Sequence, residues 1–88
     1  MQVQNIFIRA SEEYEENGFF DLNEQEFSFL KERFEFLNQN NNLTFRQGLE
    51  VKGIIAILLY ADKEDYIRSM HLSEKVANFF EEVYNEFC

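Results

Sequence analysis

Very little interrupts this chain. Its 88 residues include no proline and only three glycines, and those two residue types are the strongest local punctuation a backbone has. A β-sandwich or small barrel needs a turn signal about every eight to twelve residues. With so few signals the elements must be long, and the long elements of a small domain are helices. The sequence therefore predicts an all-α fold: a single domain, residues 1–88, built as a compact four- to five-helix, bundle-like unit.

Apolar spacing and capping signals place those helices. Val3, Ile6, Phe7, Ala10 and Tyr14 recur at the i, i+3, i+4, i+7 and i+11 positions of one helix face. Glu12, Glu13, Glu15 and Glu16 crowd the end of this segment, where the helix dipole is negative and acid is unfavourable. A short strand over residues 3–8, with a helix starting near Ser11, is the competing expectation. Gly18 is the expected stop, and Phe19 and Phe20 enter the connection. Asp21 or Asn23 then caps a second helix, residues 23–39, with Glu24 or Glu26 closing a capping box. Phe27, Leu30, Phe34 and Leu37 form its buried stripe. The polar run 39–42 ends it, because Asn competes for nearby backbone groups and favours turns.

Thr44 and Gln47 repeat the capping-box pattern ahead of a third helix, about 45–61. Its first half is amphipathic, but every residue from 54 to 60 is apolar. A helix apolar on all sides is expected to be buried on all sides, so this segment is the predicted centre of the core. Gly48 and Gly53 weaken it slightly and are expected to let a neighbouring helix come close. Asp62 is the expected cap of a short helix over residues 63–70, with His71 and Leu72 as a hinge. Ser73 is the expected cap of the last helix, whose Val76, Phe79, Phe80, Val83, Tyr84 and Phe87 make a wide apolar face.

Composition narrows the functional classes. Apolar residues make up 45% of the chain and aromatics 17%, too many for an acidic disordered tail. At this length folding buries roughly 60–65% of the unfolded surface, enough for one core but not for a core with a deep preformed cleft. The net charge of −9 repels phosphate backbones and anionic lipids, so neither direct nucleic-acid binding nor membrane binding is expected. A basic protein surface is the physical counterpart. The acid is unevenly placed: residues 1–35 carry a net −6, residues 74–88 a net −3, and the middle is neutral. Cys88 is the only cysteine, which excludes an intramolecular disulfide and reads as a terminal thiol. The N-terminal segment has no basic n-region, and the main apolar run, 54–60, is far short of the roughly 20 residues that span a bilayer. A cytosolic location is expected.

Residues able to carry chemistry are few and scattered. His71 is the only histidine, and a lone His at a helix junction reads as a surface or capping residue. One His and one Cys do not make the paired spacing of a zinc site. Asp62, Glu64 and Asp65 lack the glycine and the spacing of a calcium loop. Gly48 and Gly53 have no Lys-Ser/Thr partner of a phosphate loop. No catalytic residue, cofactor or metal is expected.

What remains is binding. The expectation is a small acidic protein-binding domain, an inhibitor or regulator that docks on a basic surface of a partner protein. If the terminal helices lie side by side they form one negative face, with Glu12, Glu13, Glu15, Glu16, Phe19, Phe20, Glu81, Glu82 and Glu86 as contact residues. Carboxylates on adjacent helix turns stand about 5–6 Å apart, near the spacing of successive phosphates, so mimicry of nucleic acid is one form of such docking. The richness in Asn, Phe, Ile, Glu and Lys suits an AT-rich genome, as in many Gram-positive hosts and their mobile elements, and a phage or mobile-element origin is the matching expectation. The alternative is a homo-oligomeric structural or assembly protein, such as a homodimer. Phe19, Phe20, Phe29 and Phe36 fall outside the helix stripes, and surplus aromatic surface favours an interface.

Overall fold

A computed structural model describes residues 2–87, so Cys88 and its reading as a terminal thiol lie outside the described residues. The described residues form five helices: α1 (Val3–Asn17), α2 (Glu24–Asn38), α3 (Phe45–Tyr60), α4 (Glu64–Arg68) and α5 (Glu74–Phe87). No strand occurs among the described residues. α1 is helical from Val3 onward, which overturns the strand alternative for residues 3–8. Val3, Ile6 and Ala10 are buried, and the helix packs on α3. That apolar contact outweighs the unfavourable acid at its end.

The caps follow the sequence closely, with one exception. Gly18 ends α1 in the left-handed region, φ 81°, its N–H donating to the carbonyl of Tyr14. Asn23 and Glu26 make a reciprocal capping box at 2.8 and 3.1 Å, and Thr44 and Gln47 make another at 3.1 and 3.0 Å. Asp62 is the exception. It does not cap α4; it terminates α3, with φ 59°. The Lys63 N–H donates to the Leu58 carbonyl at 2.8 Å and the Asp62 N–H to that of Leu59 at 3.2 Å, the bond pair of a Schellman motif. That motif needs a left-handed residue, and Asp is one of the few non-glycines that tolerates the conformation. α4 starts at Glu64 without a side-chain cap and is five residues long. Ser73 Oγ accepts from the Val76 N–H at 3.3 Å, as expected of the α5 cap. Asn38 fastens the preceding hinge to the end of α2: its Nδ2 donates to the His71 carbonyl at 3.0 Å, and its Oδ1 accepts from the Ser73 N–H at 2.9 Å.

α3 is the centre, packing against all four other helices, with Val51, Ile54, Ile55, Ile57 and Leu58 fully buried. The contacts on its two flanks fix the direction of the chain. Val3 lies beside Gly53, and the Tyr14 and Tyr60 rings are 4.8 Å apart. On the other flank Phe79 lies on Gly48, Lys52 meets Glu82 at 3.5 Å, and the Tyr60 and Phe87 rings are 5.2 Å apart. Both series advance together along the sequence, so α1, α3 and α5 run in the same direction, and α2 returns the chain between the first two.

The two glycines of α3 differ. A Cβ on Gly48 would stand 3.1 Å from Phe79 Cζ, so this glycine is what lets α5 come close. A Cβ on Gly53 would meet only Val3 Cγ1, at an ordinary 3.8 Å. The close approach expected at both positions occurs only at Gly48.

Candidate functional site

Residues 54–60 are not buried all round, contrary to what their apolar run predicts, for Ala56 and Tyr60 are only half-buried. Phe45, Leu49, Gly53, Ala56 and Tyr60 fall at i, i+4, i+8, i+11 and i+15, one stripe of the helix. Phe45 is 84% exposed and Leu49 53%; Gly53, Ala56 and Tyr60 are half-buried. The physical reason is the spacing of the flanking helices. α1 and α5 pack on opposite flanks of α3 rather than against each other along their length, and this stripe lies between them. Small residues at 53 and 56 leave the gap unfilled. The result is an open groove of about 790 Å³, its apolar part formed by Val3 and Phe7 from α1, Leu49, Gly53 and Ala56 from α3, and Val83 from α5, and the rest of its lining by glutamine and charged side chains.

Beyond one end of the groove the apolar surface continues into an aromatic cluster. Tyr14 and Phe87 stand 6.0 Å apart, and both contact Tyr60. Here the C-terminal ends of α1, α3 and α5 converge, and none of the three carries a basic residue in its last turn. Each helix end contributes about half a negative charge, and Glu15, Glu16, Asp62 and Glu86 are all exposed close by in sequence. So α1 and α5 do not pack side by side as the expected negative face requires; it is their C-terminal ends that come together, with Glu15, Glu16 and Glu86 on the last turns.

Charges along the groove rim are mostly matched. Arg33 holds Glu50 through two hydrogen bonds, at 2.7 and 3.0 Å, an interaction that raises the Arg33 pKa above its ordinary value despite partial desolvation. Lys52 holds Glu82. Glu86 at the aromatic end and Arg46 at the mouth are exposed, and neither has an ion-pair partner among the described residues.

The residues singled out from sequence divide unevenly. Glu12, Glu15, Glu16, Glu81 and Glu86 are exposed, and Phe19 is 60% exposed. Glu13 is engaged by Arg9 at 2.8 Å, and Glu82 by Lys52. Phe20 is a correction: it is 2% exposed and lies under the Arg9 guanidinium, 4.7 Å from ring centroid to Cζ. The same guanidinium hydrogen-bonds Glu26 on α2, so Arg9 ties the two helices together over the Phe20 ring and holds it in the core. Val3, Phe7, Leu49, Gly53, Ala56 and Val83 were missed as a site. The available signal was a second apolar stripe on α3, opposite the buried one.

His71 is exposed. No group of three or more His, Cys, Asp or Glu able to hold a metal ion occurs among the described residues. No helix among them is long and apolar enough to cross a membrane. The chain matches no protein-family model, no curated protein and no solved structure.

Proposed function

We propose that this chain is a small, acidic, non-catalytic protein-binding domain, an inhibitor or regulator that docks on a basic surface of a partner protein. The observation that supports this most is the convergence of three helix C-termini on one end with no basic residue in the last turn of any of them. Acid at helix C-termini is unfavourable to the fold, and local rules broken without compensation concentrate at functional sites. A cationic partner supplies the missing counter-charge. Where that partner is itself a nucleic-acid-binding groove, the carboxylates stand in for phosphates.

The test is a capture experiment from the cell of origin, using the full chain and a variant with Glu12, Glu15, Glu16 and Glu86 all changed to Lys. Glu13 and Glu82 are left alone because they are engaged within the fold. A basic protein held by the wild type, released as salt rises and lost to the variant supports the proposal, provided circular dichroism shows the variant folded. Capture indifferent to salt and to all four reversals sinks it.

A second reading, self-association, is favoured by the exposure of Phe36 and Phe45. A light-scattering mass that stays monomeric at high concentration removes it.

A further inference from the structure

We infer that the groove between α1 and α5 receives one amphipathic helix of a partner protein, its apolar face on α3 and its basic end over Glu86. The inference rests on the acidic-docking proposal for the charge of the occupant, and on separate observations for its shape.

Shape points to a helix. From Phe45 to Tyr60 the open stripe runs 15 residues along α3, or about 22 Å at 1.5 Å per residue. It is apolar throughout and continues past the concave part at both ends, into exposed Phe45 at the mouth and the Tyr14–Tyr60–Phe87 rings at the other end. A small molecule would need a more enclosed pocket than this open groove. A helix laid between two parallel helices, over a floor of Gly53 and Ala56, buries the whole stripe, which is the helix-in-groove mode of recognition. Small floor residues also let the incoming backbone come close.

Charge selects among helices. Lys52 and Glu50 are already matched by Glu82 and Arg33, which leaves Arg46 at the mouth and Glu86 at the other end; Glu86 and the acidic end beyond it call for Lys or Arg on the part of the occupant that lies there. A second copy of this chain brings another −9 to a surface that is already negative. Like-charge repulsion disfavours it.

The probe is a synthetic helical peptide of about 16 residues, long enough to cover the stripe. It carries Leu along one face and three Arg at one end; a control peptide has Glu in place of Arg. Calorimetry measures affinity, and backbone amide shifts of the full-length protein report the site. Binding of the Arg peptide is expected to move Val3, Phe7, Leu49, Gly53, Ala56 and Val83. Gly53→Leu, which fills the floor, is expected to weaken it at least about tenfold, a difference of about 1.4 kcal/mol. Leu49→Glu, at an exposed position, is expected to do the same without touching packed side chains, which covers the case in which Gly53→Leu misfolds. The Glu peptide is expected to bind at least about tenfold more weakly than the Arg peptide.

Undiminished binding to Leu49→Glu, or amide shifts confined to residues outside the groove, overturns the inference while leaving the acidic-docking proposal to its own charge-reversal test. Equal binding of the Arg and Glu peptides overturns the basic occupant. A concentration-dependent dimer that Leu49→Glu abolishes would assign the groove to a second copy instead. Loss of the cellular partner from the four-Lys variant but not from Leu49→Glu would likewise defeat the groove and keep the acidic end.

Discussion

The two faces of α3 are chemically alike and structurally opposite. One carries Val51, Ile55 and Leu58, all fully buried; the other carries Phe45, Leu49, Gly53 and Ala56, left open between α1 and α5. Hydropathy does not separate them. The difference lies in what each face meets. The first is enclosed by its neighbours, whereas the second lies in a gap that no helix of this chain enters. An apolar face that the fold leaves open is informative in a way an exposed single side chain is not.

Truncation is the strongest way to break that comparison. Leu58→Ala or Ile55→Ala removes a fully buried side chain and should cost about 2–5 kcal/mol, the lost transfer energy plus the cavity left behind, read from the midpoint of urea unfolding. A cost below 1 kcal/mol would mean that the buried face is loosely packed and the contrast overstated.

The glycines sharpen it. Gly53→Ala should raise stability by about 1 kcal/mol, because the helix gains propensity and the new methyl meets nothing closer than Val3. Gly48→Ala has the same propensity gain but sets a methyl 3.1 Å from the Phe79 ring, so it should fall clearly below Gly53→Ala in thermal unfolding temperature. Equal behaviour of the two would place them in the same environment and contradict the groove.

The end of the same helix gives a smaller effect. Asp62→Gly relieves a left-handed non-glycine and removes an acid from a helix C-terminus, and should stabilise by about 0.5–1 kcal/mol. A loss of stability would show that the Asp62 side chain is held by something its exposure does not suggest.

The smallest effect belongs to the open face. Leu49→Ala should change stability by no more than about 0.5 kcal/mol, as for other surface positions, while the four- to tenfold greater cost at Leu58 measures the asymmetry of a single helix. A cost at Leu49 comparable to that at Leu58 would mean the open face is covered in solution, and a matching rise in molecular mass would identify the cover as a second copy.

Much of this architecture was legible in the residues. Helices, caps and the central position of α3 follow from local rules: sparse punctuation, the Asn23/Glu26 and Thr44/Gln47 boxes, and apolar stripes at helical spacing. Each depends on residues within a turn or two of one another, so the linear order carries the information. Asp62 was misassigned because two helix ends compete for it, and only the backbone shows that ending α3 prevailed over starting α4.

Position in space was not legible. Phe20 looks like any loop phenylalanine until Arg9 is found lying over it and tied to Glu26, a residue 17 positions along the chain. The acid of the two chain ends could be counted from the sequence, but not located. That Glu15, Glu16 and Glu86 lie on converging helix ends depends on α1, α3 and α5 running in the same direction, and that is set by how α2 and the segment containing α4 return the chain. The sequence by itself determined which segments are helices and which surfaces are apolar, because both arise from short-range chemistry. Tertiary structure alone decided which apolar surface stays open, because that depends on the distance between α1 and α5, two helices separated by more than 50 residues and held apart by the helix between them.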